Sequence, residues 1–249
     1  MSTVLREPSP FPDRPGTSAP LAALTAPPRF GFAFILAVGC LIALSASLAE
    51  ASEAVAATRI NEGAAWEHAA QQDGIDVYTR AVAGSGIKEF KGVGEVDADA
   101  DQILALLRDS DHFNTWFPNT PESKLLKREG NVSYQYSVLA TPWPISDRDN
   151  VLRSVTNVDH EAGVVQISVA AAPDEYPEHA DRVRVRKANG SWRLETLGDN
   201  RTRVTFSMHL EPGGGIPQWM INARVVETPL EALANLRTAV NLHTAMKAN

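Results

Sequence analysis

The stretch RTRVTFSMHLEPGGGIPQWMINARVVETPLEALANLR, residues 201–237, decides the fold. Its first ten residues alternate polar and apolar side chains, which is typical of a strand in an antiparallel sheet that covers a core on one face only. The apolar ones are Val204, Phe206, Met208 and Leu210. Three glycines then precede Pro217, which suits the first position of a helix. The stretch therefore predicts a half-buried strand followed by a long helix over residues 217–247, with a kink or restart at Pro229.

The same alternation of polar and apolar residues recurs in eight other segments, clearly in some of them and weakly in the others. They cover residues 75–82, 88–96, 123–128, 133–138, 150–158, 165–171, 182–186 and 192–197. Two further helices are predicted, one over residues 62–72 that ends at Gly74 and one over residues 99–107. A long helix and a one-sided sheet bury each other's apolar faces most simply by packing together. We therefore predict an α+β fold, in which a curved antiparallel sheet of about nine strands wraps around the C-terminal helix.

The composition excludes some functions. Hydrophobic residues make up 44% and charged residues 21%, as in ordinary globular proteins. Residues 50–249 hold 20 basic and 28 acidic residues, a net charge of −8. That charge argues against nucleic-acid binding and against a purely electrostatic hold on anionic membranes. Cys40 is the single cysteine, so the sequence allows no internal disulfide and no cysteine zinc site.

Residues 1–51 predict a disordered N-terminus followed by an export signal. Seven prolines lie within residues 8–28, and Arg29 precedes a short apolar run. This run is short for a membrane span and fits a signal peptide of about residues 29–51. Small residues favour cleavage after Ala49 or Ala51, and hence a periplasmic or secreted protein. An uncleaved membrane anchor is the alternative.

One loop, TPWPISDRDN at residues 141–150, combines two prolines around Trp143 with a charged cluster that leads into an apolar strand. Charges that enter a core strand must be paired to offset their desolvation. The loop is either a surface turn with a local ion pair or a polar spot at one end of an apolar cavity. In the second case Arg148 faces the cavity, and Asp149 points to the other face as its partner or to an adjacent strand.

Catalytic motifs are not recognisable in the sequence. The six histidines show no metal-ligand spacing, and there is no GxSxG, Walker or strand-linked GxGxxG motif. The glycines at 213–215 precede a helix N-terminus, where an anion could bind. A tight hinge explains them equally well.

Four segments, in matching order, resemble START domains, the lipid-transfer domains named after the steroidogenic acute regulatory protein. They are GIDVYTRAVAGSGIKEFKGVGEV at 74–96, WFPNTPESKLL at 116–126, PWPISDRDNV at 142–151 and EPGGGIPQWMINARVVETPLEALANLR at 211–237. The third is similar to the family's proline-tryptophan-proline turn and Arg-Asp strand start. The fourth is similar to its glycine turn, Ile/Leu-Pro-x-Trp helix start and closing helix.

The resemblance implies a helix-grip fold over residues 62–247, with a lipid tunnel between sheet and helix. It places the family's Arg-Asp pair at Arg148 and Asp149. The residues expected to contact lipid are these two together with Trp116, Tyr136, Trp143, Ile167, Phe206, Met208, Trp219, Met220 and Ala223. We expect a monomer that binds a lipid or another apolar molecule in transient contact with a membrane. We expect no cofactor, metal or nucleic acid.

The sequence thus favours a non-catalytic lipid carrier or sensor, with the last helix as a lid that hinges at residues 213–215. Two alternatives remain open. One is a cyclase- or hydrolase-like enzyme on the same superfamily fold, which would need a positioned acid–base pair. The other is a protein-interaction scaffold whose pocket is vestigial.

Overall fold

The structure is a computed structural model that describes residues 64–247. The expected leader, residues 1–51, lies outside the described residues. The elements are β1 (Glu67–Gln72), β2 (Ile75–Arg80), β3 (Glu89–Val96), α1 (Ala100–Arg108), β4 (Glu122–Glu129), β5 (Val132–Leu139), β6 (Arg148–Asp159), β7 (Val164–Ala171), β8 (Val183–Arg184), β9 (Lys187–Gly198), β10 (Arg201–Glu211) and α2 (Gln218–Lys247). Two 3₁₀ turns, Phe113–Thr115 and Pro173–Glu175, interrupt the connections.

The strands form one curved sheet, as predicted. Nine of them lie in the order β1-β2-β3-β10-β9-β7-β6-β5-β4, and each neighbouring pair is antiparallel. The two-residue strand β8 pairs in parallel with the start of β6. This α+β architecture, a curved antiparallel sheet with a C-terminal helix, is the helix-grip fold that the sequence predicted.

The first element differs from the prediction. Residues 62–72 were expected to form a helix ended by Gly74, but Glu67–Gln72 is a strand that pairs with β2. Asp73 and Gly74 have φ values of 51° and 69°, the left-handed pair that a two-residue hairpin turn requires. The glycine therefore closes a hairpin rather than a helix.

Helix α2 packs on β2 and β3 through an unusually close contact. A Cβ at Gly92 would lie 2.8 Å from Cβ of Pro229 and 3.1 Å from Cδ1 of Leu233. Only glycine allows the helix to approach β3 this closely. The helix runs through Pro229 without restarting, contrary to one of the two outcomes expected there.

The C-terminal half of α2 is anchored by core packing and by hydrogen bonds. Leu233, Leu236 and Val240 are buried in the main core. Arg237 donates hydrogen bonds to the backbone oxygens of Asp73 at 2.7 Å and Glu95 at 2.9 Å. Within the described part of the chain, neither helix combines the length and the hydropathy that a bilayer span requires.

Candidate functional site

A cavity of about 450 Å³ lies between the sheet and the N-terminal half of α2. That volume falls within the range of about 300–1,000 Å³ typical of small-molecule sites. Strands β5, β6, β7, β9 and β10 supply one side of it. Residues between Ile216 and Thr228 supply the other, and residues within 87–90 and 107–119, among them Lys88 and Arg108, also line the cavity.

The wall contributed by β7, β9 and β10 is apolar. Its residues include Ile167, Val169, Trp192, Phe206, Met208 and Leu210. Strand register places Ile167, Trp192 and Phe206 in one row across the three strands. The rings of Trp192 and Phe206 stack with their centroids 3.9 Å apart. This row forms the aromatic end of the cavity, with Phe117 beside it.

The wall contributed by β5 and β6 is polar. Apart from Arg148, Leu139 and Leu152, its cavity residues are Ser133, Gln135, Ser137, Asn150, Ser154 and Thr156. Ser137 pairs with Asn150 across the two strands, and its hydroxyl donates to Oδ1 of Asn150 at 3.1 Å. The cavity is therefore amphipathic from side to side, with hydroxyl and amide groups facing aromatic and aliphatic ones.

Arg148 is the charged group of this polar wall. It is 3% exposed, and its Nη2 donates to the backbone oxygen of Gly213 at 3.0 Å. Nη1 donates to the backbone oxygen of Ser146, while Nε is buried without a hydrogen-bond partner. Burial lowers the pKa of the Arg148 guanidinium below its ordinary value, and the attraction of Asp147 offsets only part of this. Arg148 thus joins the start of β6 to the glycine turn before α2.

Asp149 points to the opposite face of β6 and is paired there. Arg184 binds it in a bidentate manner, with Nε to Oδ1 at 2.9 Å and Nη2 to Oδ2 at 2.8 Å. The same guanidinium donates to the backbone oxygens of Pro173, Tyr176 and Pro177. Burial raises the pKa of Asp149, but the hydrogen bonds and charge of Arg184 outweigh it and hold the pKa below its ordinary value. The pair fastens residues 173–184 to the outside of the sheet.

Seven of the eleven residues expected to contact lipid line the cavity. They are Arg148, Ile167, Phe206, Met208, Trp219, Met220 and Ala223. They come from four separate elements, because the strand register and the closing helix bring them together. Whether they bind lipid stays a prediction.

The other four expected residues, Trp116, Tyr136, Trp143 and Asp149, lie elsewhere. Trp116 is buried in the main core behind Trp192, and Trp143 is 93% exposed. Tyr136 belongs to a second, smaller core on the outer face with Val138 and Val151. Tyr136 was expected to line the cavity, and there is a physical reason why it does not. Residues 172–185 cover that outer face, so the apolar side of β5 faces them and its polar side faces the cavity.

The sequence reasoning also missed several residues that shape the site. The alternation over residues 182–186 favours a polar, solvent-facing side for Arg184, yet Arg184 is buried. Ser137 and Asn150 were missed because polar residues in alternating strands usually face water. The signal for Arg184 was present, because the buried Asp149 needed a cation and three arginines alternate at 182, 184 and 186.

The glycine turn at 213–215 requires glycine at two of its three positions. Gly213 and Gly214 have φ values of 66° and 65°, and a Cβ at Gly214 would lie 2.9 Å from Nη2 of Arg148. Gly215 has ordinary φ and open space around it. Two of the three glycines are thus explained by backbone geometry, and one is not.

We expect Gly215→Ala to stabilise the turn by about 0.4–1 kcal/mol, because alanine reduces the freedom of the unfolded chain without strain. Gly214→Ala, in the left-handed region, should instead cost about 1–2 kcal/mol. Hydrogen exchange over residues 213–228 measures both effects. Equal protection in the two variants would contradict this account of the glycine turn.

Side chains that could bind a metal ion together are not clustered in the described part of the chain. Within residues 64–247, no three His, Cys, Asp or Glu side chains come together in a way that could bind an ion. The cavity offers a hydrophobic surface, a series of hydrogen-bonding groups and the buried cation of Arg148.

Comparison with known proteins identifies the family. The START domain model matches residues 47–246. An uncharacterized protein of Pseudomonas aeruginosa is 38% identical over 174 residues, which are 70% of this chain and 86% of that protein. Phosphatidylcholine transfer protein of Mus musculus is 28% identical over 165 residues, 64% of this chain and 76% of its own. The crystal structure of the STAR-related lipid transfer protein (fragment 25–204) from Xanthomonas axonopodis superposes with a TM-score of 0.66 at 38% identity, covering 71% of this chain and 98% of that one.

Proposed function

The chain belongs to the START domain family, and on that premise we propose that it is a non-catalytic carrier or sensor of one lipid-like molecule held in the cavity. The observation that carries the proposal is the cavity of about 450 Å³ under α2, with an aromatic end and a polar wall. Proteins of this family typically bind or transfer lipids. The mouse relative is named for transfer of phosphatidylcholine.

Burial of apolar ligand surface supplies the affinity for such a role. Each buried methylene group contributes about 0.8 kcal/mol, so a sixteen-carbon chain gives on the order of 13 kcal/mol before costs. Association costs at least about 4 kcal/mol of this. The remainder allows tight binding without any reactive group.

The alternative of an enzyme is separated from the carrier by the fate of the ligand. We expect lipids extracted from the purified protein to have the same structures after prolonged incubation as before it. Mass spectrometry of the two extracts measures this. A new cyclised or hydrolysed product that forms only with the protein present would refute the non-catalytic proposal.

The scaffold alternative would require a pocket filled by the protein's own side chains. The aromatic cluster around Trp192 and Phe206 fills one end of the site, but the cavity remains beyond it. This open space supports a ligand-binding role.

We further propose that two tryptophans at the cavity mouth contact the membrane. Trp143 is 93% exposed and Trp219 is 71% exposed. Pro142, next to Trp143, and Trp219 itself both line the cavity. Exposed tryptophans favour the interface between lipid and water. The net charge of −8 over residues 50–249 makes this contact apolar rather than electrostatic.

Trp143→Ala should slow ligand transfer between phosphatidylcholine vesicles about tenfold while leaving the affinity for soluble ligand unchanged, because Trp143 does not line the cavity. Fluorescence transfer between donor and acceptor vesicles measures the rate. Leu242→Ala is the matched control, since Leu242 is exposed but belongs to the C-terminal half of α2. An equal loss in both variants, or none in either, would contradict docking through the mouth.

Export is part of the proposal and rests on residues outside the described structure. We propose cleavage after Ala49 or Ala51, with the domain working in the periplasm or outside the cell. N-terminal sequencing of the protein from its host should then begin at Glu50 or Ser52. Recovery of the intact N-terminus in an integral membrane fraction would show an anchor instead.

A further inference from the structure

Arg148 is a buried cation whose hydrogen-bonding capacity is only partly used. A guanidinium carries five N–H donors. Two hydrogen bonds go to backbone oxygens, those of Ser146 and Gly213. Nε is buried without a partner. Among residues 64–247, no carboxylate oxygen forms an ion pair within 4.0 Å of this guanidinium. Asp147 is close in sequence, but its Oδ1 accepts the backbone N–H of Thr141 at 2.8 Å.

Arg184 shows how the same fold treats an arginine that serves only structure. It follows Val183 in the short strand β8, where Val183 pairs with Arg148 and Arg184 pairs with Asp149 at the start of β6. Its five donors meet five oxygens, two of them on the Asp149 carboxylate. Arg148 has neither the countercharge nor the full set of acceptors. A buried charge left in this state is costly unless something else completes it.

The surroundings of Arg148 leave space for a ligand group. Arg148 lines the cavity together with Asn150 and Thr141. Gly214 presents no side chain there, and a Cβ would stand 2.9 Å from Nη2. The glycine therefore keeps the turn close to the guanidinium without covering it.

We propose that the ligand of this cavity carries an oxyanion, a carboxylate or a phosphate, which binds Arg148 while its apolar part extends toward Trp192 and Phe206. The inference rests on the proposed function and names the ligand class. A neutral hydroxyl or ester could accept one hydrogen bond. Only an anion also supplies the missing countercharge and accepts two donors of the guanidinium fork at once.

The length of strand β6 can be compared with the length of an acyl chain bound at Arg148. Strand β6 begins at Arg148, and eight residues further along it Thr156 pairs with Ile167 in the aromatic row. Eight residues of strand span roughly 26 Å. An acyl chain that spans one leaflet covers about half of the roughly 30 Å hydrocarbon core of a bilayer. One extended chain with its oxyanion at Arg148 therefore covers somewhat more than half of this length, in the direction of the aromatic end.

The test compares sixteen-carbon ligands that differ only in the head. Full-length protein is loaded with the neutral fluorescent probe Nile red, which is then displaced by palmitate, hexadecyl phosphate, hexadecanol or methyl palmitate. We expect at least one of the two anions to displace the probe at concentrations about tenfold or more below those of the alcohol and the ester. The better anion identifies the oxyanion as carboxylate or phosphate.

The variants assign that preference to one residue. Arg148→Met should reduce the ratio between anion and alcohol to within about twofold while hexadecanol binds as before. Arg153→Met, on the exposed face of the same strand, should keep the wild-type ratio. Equal displacement by anions and neutral ligands in the wild-type protein, or displacement by none of them, would overturn the oxyanion inference alone. Failure of Nile red itself to bind would count against the carrier function.

Discussion

Arg184→Met should destabilise the folded domain by about 3–5 kcal/mol, because it leaves the Asp149 carboxylate buried without its cation. For a domain of this size the loss corresponds to a fall of roughly 6–20 °C in melting temperature. It would also free three backbone oxygens that now accept hydrogen bonds from Arg184. Chemical denaturation at neutral pH measures the free energy of unfolding.

Arg148→Met is the matched control for this prediction. Its side chain is as deeply buried, but it has no carboxylate partner, so its replacement should change the free energy of unfolding by less than about 1 kcal/mol. Replacing Asp149 by Leu in the Arg184→Met background should recover part of the loss, because no buried charge then remains. Equal destabilisation by Arg184→Met and Arg148→Met would contradict the division into a structural and a ligand-facing arginine.

Leu152→Trp should abolish stoichiometric ligand binding while the domain stays folded. Leu152 lies in the middle of the β6 wall, between Asn150 and Ser154, and lines the cavity. An indole there occupies space that the ligand needs. Overpacking costs typically 1–3 kcal/mol in a full core, and the existing cavity should keep the cost at the low end. Nile red titration and thermal unfolding measure binding and stability separately.

Val158→Trp is the matched control, because it introduces a tryptophan on the same side of the same strand but outside the cavity. Val158 is 41% exposed and does not line the site. Its binding should equal that of the wild-type protein. If Leu152→Trp binds as well as Val158→Trp, the ligand does not occupy the cavity described here.

The overall fold could be predicted because its signals are local and repeated. The alternation over residues 203–210 and the long amphipathic segment after Pro217 each specify one element, and burial of both apolar faces joins them. Residues 67–72 are the exception, because they were predicted to be a helix and form a strand. Asp73-Gly74 is a strong hairpin signal, but it was read as the end of a helix, and the weak pattern before it did not correct the error.

The site was only partly predictable because a strand pattern shows two faces but not what covers each of them. In β5 the apolar residues face the second core around Tyr136, and the serines face the cavity. That outcome depends on the segment around Arg184, which crosses the outer face from far along the chain. Asp149 and Arg184 are 35 residues apart in the sequence, and only the tertiary structure brings them together. Their spacing in the sequence therefore does not reveal the ion pair.

The most direct test of the central claim, an internal site that carries one apolar ligand, is a native mass spectrum of the chain purified from its host. The account predicts a complex of the polypeptide with one lipid-sized molecule, which is lost on denaturation and absent from Leu152→Trp. The bare polypeptide mass alone, both after purification and after incubation with a total lipid extract, would contradict it.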